Sequence, residues 1–308
     1  MVLTLFLSAW LILVFLGTPI GMSMVLASLG YFAYAGIGIN FAAQRVVDGL
    51  NSFPIIAVPL FILAANIFNA SGITRHLFGF ATSLVGHFRG GLGHVNILAS
   101  LFFSGMSGSA LADAGGLGKI EARAMQEAGY PHDLAAVLTS VSAILGPLVP
   151  PSIPMVVYGV VSGASIGGLF LGGIIPGLLC TIAMMVMLYL VALKRELPIE
   201  PRASLSQITD RFIRSFPALL TPVVIIAGIF SGIFSPTEAA AVTVAYALVV
   251  SRFVYKEMSL KRMWLCLYET VIVSSGIAWI IGGVSMMGIV LAMENAPAQI
   301  GTLFTSLA

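Results

Sequence analysis

Apolar runs alternate with short polar or glycine- and proline-rich breaks along nearly the whole chain. Residues 2–16 and 22–35 are apolar, and Gly17-Thr18-Pro19-Ile20-Gly21 between them predicts a break or tight turn. Residues 37–52 are more polar and hold Arg45 and Asp48. Residues 53–70 predict a strong span, with Pro54 at the helix start and Pro59 as a kink. Residues 73–88 set Arg75, His76 and His87 among Leu77, Phe78, Phe80 and Leu84, the pattern of an interfacial amphipathic helix. Further spans are expected at 169–193 (with Pro176), 216–234, 239–250 and 265–293, the last weakened by Gly282 and Gly283.

Residues 100–158 break this pattern twice. The first break is Ser104-Gly105-Met106-Ser107-Gly108-Ser109 and the second is Gly146-Pro147-Leu148-Val149-Pro150-Pro151-Ser152-Ile153-Pro154. Each is too rich in Gly, Ser or Pro for an unbroken helix. Residues 95–106 are a dozen, closer to a re-entrant arm than to a span, and the return arm carries Asp113, Lys119, Glu121 and Arg123. The expected element is a re-entrant hairpin with its Ser/Gly tip at membrane depth, followed by half-helices at 134–145 and 155–162 around the proline break. Backbone freed at such depth survives only inside protein or beside water. Two breaks meeting there are a common way to build an ion or substrate site.

Composition agrees with a bilayer as solvent. Of the 308 residues 59% are hydrophobic and 8% charged, with a mean hydropathy of +1.06, against about 25% charged in soluble domains. The chain is therefore read as an all-α, polytopic membrane protein. The start, MVLTLFLSAWLILVFLG, has no positive n-region or evident cleavage site and reads as a retained first span. A net charge of +2 gives no reason to expect a nucleic-acid partner; instead the basic residues of 194–214 and 252–262 place both segments in the cytoplasm. Cys180 and Cys266 fall in or beside apolar helices and are expected to be packing residues, not a disulfide.

Candidate chemistry sits at the breaks. Gly frees carbonyls at the first, and Ser adds hydroxyls. At the second, Pro147, Pro150, Pro151 and Pro154 remove four donors and leave the carbonyls near Gly146, Val149 and Pro150. Such oxygens suit a hard monovalent cation, and half-helix N-termini suit an anion. A close-packed crossing of small residues explains the same pattern without a ligand. Asp113 lies one turn past the tip and either faces a cavity or pairs with Lys119 or Arg123. Glu238, in Ser235-x-x-Glu238, is expected to close a capping box. The four His are scattered without HExxH spacing, so neither a metal nor another cofactor is expected. Three functions stay open: a secondary transporter subunit, a membrane-embedded enzyme such as an intramembrane protease or prenyl transferase, and a structural membrane subunit.

The segments SGMSGSALAD, GYPHDLAAVLTS and GPLVPPSIPMVVYG, with NSFPIIAVPLFILAANIFNASGI, GHFRGGLGHVNI and FSPTEAAAV, resemble the large membrane subunit of TRAP (tripartite ATP-independent periplasmic) transporters. The resemblance runs from the first span to the end and implies one permease domain over 1–308. Residues 1–93 would form N-terminal spans and an amphipathic helix. Residues 94–193 would form the first hairpin, broken helix and long span, and 194–308 scaffold spans and the start of a second repeat. It implies an inverted-repeat, elevator-type transporter of the bacterial inner membrane. That transporter would use Na⁺ to import a C4-dicarboxylate, sialic acid or another organic acid, with a small membrane subunit and a periplasmic binding protein as partners. One Na⁺ site then falls on Ser104, Ser107, Gly146, Val149 and Pro151, and substrate contacts on Ser107, Gly108, Ser109 and Asp113. The resemblance also implies a second hairpin and a second unwound helix, which have no counterpart here, so the chain reads as C-terminally truncated. The span ending Asn69-Ala70 and the one ending Asn295-Ala296 are the visible trace of a repeat, the second continuing as residues 297–308.

Overall fold

The structure is a computed structural model that describes residues 1–195, 197–299 and 301. All regular structure among them is helical. In chain order the helices are α1 (Val2–Phe15), α2 (Ile20–Tyr34), α3 (Ile39–Leu50), α4 (Ala57–Ala70), α5 (Ile73–Val85), α6 (Gly91–Ser107), α7 (Ala110–Ala112), α8 (Gly118–Glu127), α9 (His132–Ser142), α10 (Leu145–Leu148), α11 (Ile153–Ser162), α12 (Ile166–Lys194), α13 (Leu205–Phe230), α14 (Pro236–Val249) and α15 (Leu260–Met293). A 3₁₀ turn, Phe53–Ile56, leads into α4; π turns at Asp113–Leu117 and Val250–Val254 follow α7 and α14.

Among the described residues five helical segments are long and apolar enough to cross a bilayer, and α9–α11 make a sixth if that bent pair is one span. The expected spans at 53–70, 169–193, 239–250 and 265–293 are found. The glycines of the last do not interrupt it, because Gly283 lies against Met24 and Gly282 against Val46, where a larger residue has no room. The expected first span is shorter than a span. Gly17-Thr18-Pro19 stops α1 after 14 residues, about 21 Å at 1.5 Å per residue.

Another departure is α13, which starts at Leu205 and not near 216. Ser204 and Gln207 close a capping box, Asp210 and Arg214 pair at 3.0 Å, and the Arg211 guanidinium donates to the Gly79 carbonyl at 2.8 Å. These polar bonds satisfy a helix start that apolar patterning alone could not reveal. The Ser235–Glu238 capping box forms as expected: Ser235 N–H donates to Glu238 Oε2 at 2.8 Å and Glu238 N–H to Ser235 Oγ at 3.3 Å. Much of residues 297–308, where a second copy of a repeat is expected, lies outside the described residues.

The chain divides into two compact units. In Met1–Ile55 with Ile272–Ala308, Phe6, Tyr31, Phe32 and Phe41 stack edge to face at 5.7–6.3 Å. Tyr31 OH donates to Glu294 Oε1 at 2.6 Å. In Ile56–Val271 the core joins α4, α5, α6, α8, α13 and α14. Its tightest seam is α4 on α14, where Ala57, Ala64 and Ala65 meet the side of α14 bearing Ala239, Ala240 and Ala247, all buried. Lipid offers no hydrophobic gain for joining two apolar helices, so small residues that let backbones approach supply the packing. The α5 helix lies between α6 and α13 and is tied by Ser215 Oγ to the His76 carbonyl at 2.9 Å. Burial holds the His76 imidazole below its ordinary pKa.

Two outcomes follow from this architecture. Ala247→Leu overfills the α4–α14 seam and should cost about 1–3 kcal/mol, read as a lower melting temperature in detergent, whereas Val223→Leu on the exposed side of α13 should leave it unchanged. Because α13 and α14 are consecutive spans, single cysteines at Arg202 and Lys261 should both label from the cytoplasmic side; periplasmic labelling of either rejects the arrangement.

Candidate functional site: the hairpin tip and the broken helix

The two breaks meet, and each is narrower than the sequence predicts. The α6 helix continues through Ser104-Gly105-Met106-Ser107 and turns only at Gly108-Ser109. A single internal Gly costs a helix about 1 kcal/mol, and burial of α6 overrides it. Gly105 is needed there, since a Cβ would lie 3.0 Å from Pro222 Cβ. Likewise Gly146 and Pro147 stay in the short turn α10, and the extended stretch is 149–152, across which the chain bends by 40°. Ser152 holds this stretch: its Oγ donates to the Pro147 carbonyl at 2.6 Å and accepts from Met155 N–H at 3.3 Å, capping α11.

Tip and break interlock through glycines. Gly108 has φ +61°, which favours glycine, and a Cβ on it would strike the Pro151 carbonyl oxygen. The Gly108 carbonyl accepts from Ile153 N–H at 3.1 Å, so a donor freed by the proline run is satisfied by the hairpin. On Gly146 a Cβ would lie 2.7 Å from Ala110 N and from Ser109 C. The α12 helix closes over the break in the same way. A Cβ on Gly173 would sit 2.6 Å from the Leu148 oxygen, and one on Gly177 2.7 Å from Val149 Cγ2.

Of the expected site residues, the structure therefore brings Gly108, Ser109, Gly146, Val149 and Pro151 together. Ser104 and Ser107 lie in the last turns of α6, fully buried, and neither hydroxyl has a hydrogen-bond partner. A buried serine in a helix ordinarily bonds the carbonyl a turn back. The carbonyls of Gly146, Val149 and Pro151 likewise accept no hydrogen bond among the described residues. Thr221, beside Pro222, adds another buried, unpartnered hydroxyl that the sequence reading missed.

Asp113 does not join the tip. It is 1% exposed and turns into the hairpin, where the Ser100 hydroxyl approaches it and Glu121 feels its charge. Neither basic neighbour pairs with it: Lys119 is exposed, and Arg123 pairs with Glu127 at 2.8 Å on the outside. The physical reason is the π turn, which shifts the phase of the return arm so that α8 presents its bases outward.

Sequence reading also missed a second polar group between the arms. Asn96 Nδ2 donates to Glu121 Oε2 at 2.7 Å and to Thr139 Oγ1 at 3.0 Å, and Ser100 Oγ donates to Ser142 Oγ at 3.1 Å. Its trace was a period: Asn96, Ser100, Ser104 and Ser107 recur at helical spacing along one face of α6. Beside the return arm, a cavity of about 420 Å³ is lined by Asn66, Asn69, Gly115, Arg262 and Glu269. Arg262 Nη1 is already bonded to the Glu257 carbonyl at 2.8 Å, and Glu269 adds an opposing charge.

Residues 7–308 match the family model "Tripartite ATP-independent periplasmic transporter, DctM component". The chain is 48% identical over 97% of its length to the sialic acid TRAP transporter permease protein SiaT of Haemophilus influenzae, covering 49% of that protein. It is 50% identical to the sialic acid TRAP transporter large permease protein SiaM of Vibrio cholerae, over 97% of this chain and 70% of that one. The C4-dicarboxylate TRAP transporter large permease protein DctM of Pseudomonas aeruginosa is 36% identical, over 87% of this chain and 63% of that protein. The chain thus spans about half the length of the SiaT relative. These relatives are transporter permeases, not enzymes, which removes the membrane-embedded enzyme from consideration. With its apolar spans and interlocked breaks, the chain is a multi-pass protein of the bacterial inner membrane and belongs to the DctM family of tripartite ATP-independent periplasmic transporters.

Proposed function

We propose that this chain forms part of a Na⁺-driven importer of a small organic acid, as the large permease subunit of a TRAP system. A small membrane subunit and a periplasmic binding protein are its partners. Sialic acid is the favoured substrate, because identity is 48–50% to the two sialic acid permeases and 36% to the C4-dicarboxylate one.

The observation that carries the reading is the set of unbonded oxygens where tip and break meet. Ser104 and Ser107 offer hydroxyls; Gly146, Val149 and Pro151 offer carbonyls. A hard monovalent cation replaces its hydration shell with such oxygens, and their burial without protein partners is costly unless something occupies them. Na⁺ at this point holds the hairpin against the broken helix. The substrate carboxylate then docks at Ser107, Gly108 and Ser109, where the N-terminus of the return arm offers N–H groups. Asp113 contributes no substrate contact in this scheme, since it faces the arms and would repel an acid. A structural subunit without a site would gain nothing from these unbonded oxygens. The hairpin is re-entrant, and it moves with the broken helix in an elevator cycle.

Single cysteines at Arg89 and Gly129, the exposed bases of the two arms, should label from the same side of the membrane; labelling from opposite sides means the hairpin crosses. Transport is tested in proteoliposomes that hold the full-length permease with its small subunit, supplied with binding protein and sialic acid. Ser107→Ala should raise the Na⁺ concentration for half-maximal uptake about fivefold or more, the equivalent of about 1 kcal/mol or more for a lost ligand. Gly146→Val, which drives a side chain into Ser109 and Ala110, should abolish uptake. Uptake that needs no Na⁺, or an unchanged Na⁺ dependence in Ser107→Ala, overturns the assignment.

A further inference from the structure

We infer that the hairpin contains a proton-binding site at Glu121, which carries its carboxyl proton in the folded protein at neutral pH. The inference does not use the transport reading; it follows from how the arms are packed. Glu121 is 0% exposed, Asn96 0% and Asp113 1%, and they sit among α6, α8, α9 and the π turn.

Most donors in this cluster are already spent, and only the Thr139 hydroxyl, which accepts from Asn96, is not itself engaged as a donor. Both N–H bonds of Asn96 are used, one on Glu121 Oε2 at 2.7 Å and one on Thr139 Oγ1 at 3.0 Å. Ser142 Oγ donates to the Thr139 carbonyl at 3.1 Å, and Ser100 Oγ to Ser142. What is left over is acceptors: Glu121 Oε1, Asn96 Oδ1 and both oxygens of Asp113 have no hydrogen-bond partner. A proton on Glu121 removes the charge and supplies a donor where donors are few.

No cation does this instead. The titratable groups on the elements packed against α8 are His94 on α6, Asp113 on the π turn, and His132 and Asp133 on α9. Of these Asp113 alone acts on Glu121, and it is an acid as well. On α8 itself, Lys119 and Arg123 point outward, and Arg123 is paired with Glu127. The arms also pack closely beside the cluster. At the crossing of α8 and α9 a Cβ on Gly118 would lie 2.5 Å from Thr139 Cγ2. Among the described residues no three His, Cys, Asp or Glu are grouped to hold a metal. Two ionised carboxylates sealed in such a place would be penalised by desolvation and mutual repulsion, and the lowest-energy remedy is a bound proton.

The sign of the linkage is fixed. A glutamate that keeps its proton when folded but loses it when unfolded makes the folded state bind more protons at neutral pH, so stability falls as pH rises. The test uses the purified full-length permease. Infrared spectra at neutral pH should show a protonated-carboxyl band that Glu121→Gln removes in part and Asp113→Asn leaves with its Glu121 component. Glu121→Gln imitates the protonated form, so it should fold, and its melting temperature should fall less steeply than wild type from about pH 5, just above the ordinary glutamate pKa, up through neutral pH. The slope difference should correspond to one proton fewer bound on folding. If Glu121→Gln cannot be purified, Asn96→Asp tests the cluster instead; its added acid should steepen the fall. Spectra of wild type and Glu121→Gln with the same protonated-carboxyl intensity, or a wild type without such a band at neutral pH, overturn the inference.

Discussion

One hydrogen bond joins the two interrupted segments: Ile153 N–H to the Gly108 carbonyl, at 3.1 Å. Prolines at 147, 150, 151 and 154 strip donors from the break, and Ile153 carries one of the few that remain. It spends that donor on the hairpin, not on its own helix. Because Gly108 must be in the left-handed region and must lack a Cβ to approach Pro151, the bond fixes the tip in both position and backbone conformation. Much of the rest of this unit serves to bring these two strands of backbone into reach. The glycines of α12 let it lie over the break, and α13 presents Pro222 to Gly105.

Polar groups are distributed unevenly around that bond. At the helix starts they are satisfied, as in the capping boxes of Ser204 and Ser235. Along the inner face of α6 they are not: Ser104 and Ser107 near the tip and the Asn96 oxygen farther down lack partners, as does one oxygen of Glu121 on the facing α8. In an apolar interior each such group costs about 1–3 kcal/mol. Natural interiors tolerate few of them, so several along one helix face call for an explanation.

Much of this was legible in the sequence, for physical reasons that differ by element. The spans at 53–70 and 166–194 announce themselves because lipid demands uninterrupted apolar length. Glu238 was legible because a capping box is local. The limits of the breaks were not: whether Ser104–Ser107 is helix depends on burial against α13 and the broken helix, which propensity cannot see. The start of α13 was passed over because apolar patterning begins only near 216, although Ser204-x-x-Gln207 is a capping box as local as that of Ser235. Pairing of Asp113 with Lys119 or Arg123 was open because spacing assumed a regular helix beyond it, and the π turn at Asp113–Leu117 breaks that assumption.

That π turn acts as a phase shifter for the whole return arm. In a regular helix, residues 113 and 121 would differ in azimuth by about 80°, since eight steps of about 100° overshoot two turns. Absorbing one residue in the wider turn leaves seven effective steps, a difference of about 20°, and sets both acids on the inner side. The arm therefore has its orientation set in a stretch of five residues, Asp113–Leu117. Asn69 of α4 guards this stretch from outside: its Nδ2 donates to the Ala112 carbonyl at 3.1 Å, and its side chain fills the space beside Gly116. A helix that belongs to neither arm thus braces the turn that sets which face of the arm is inside.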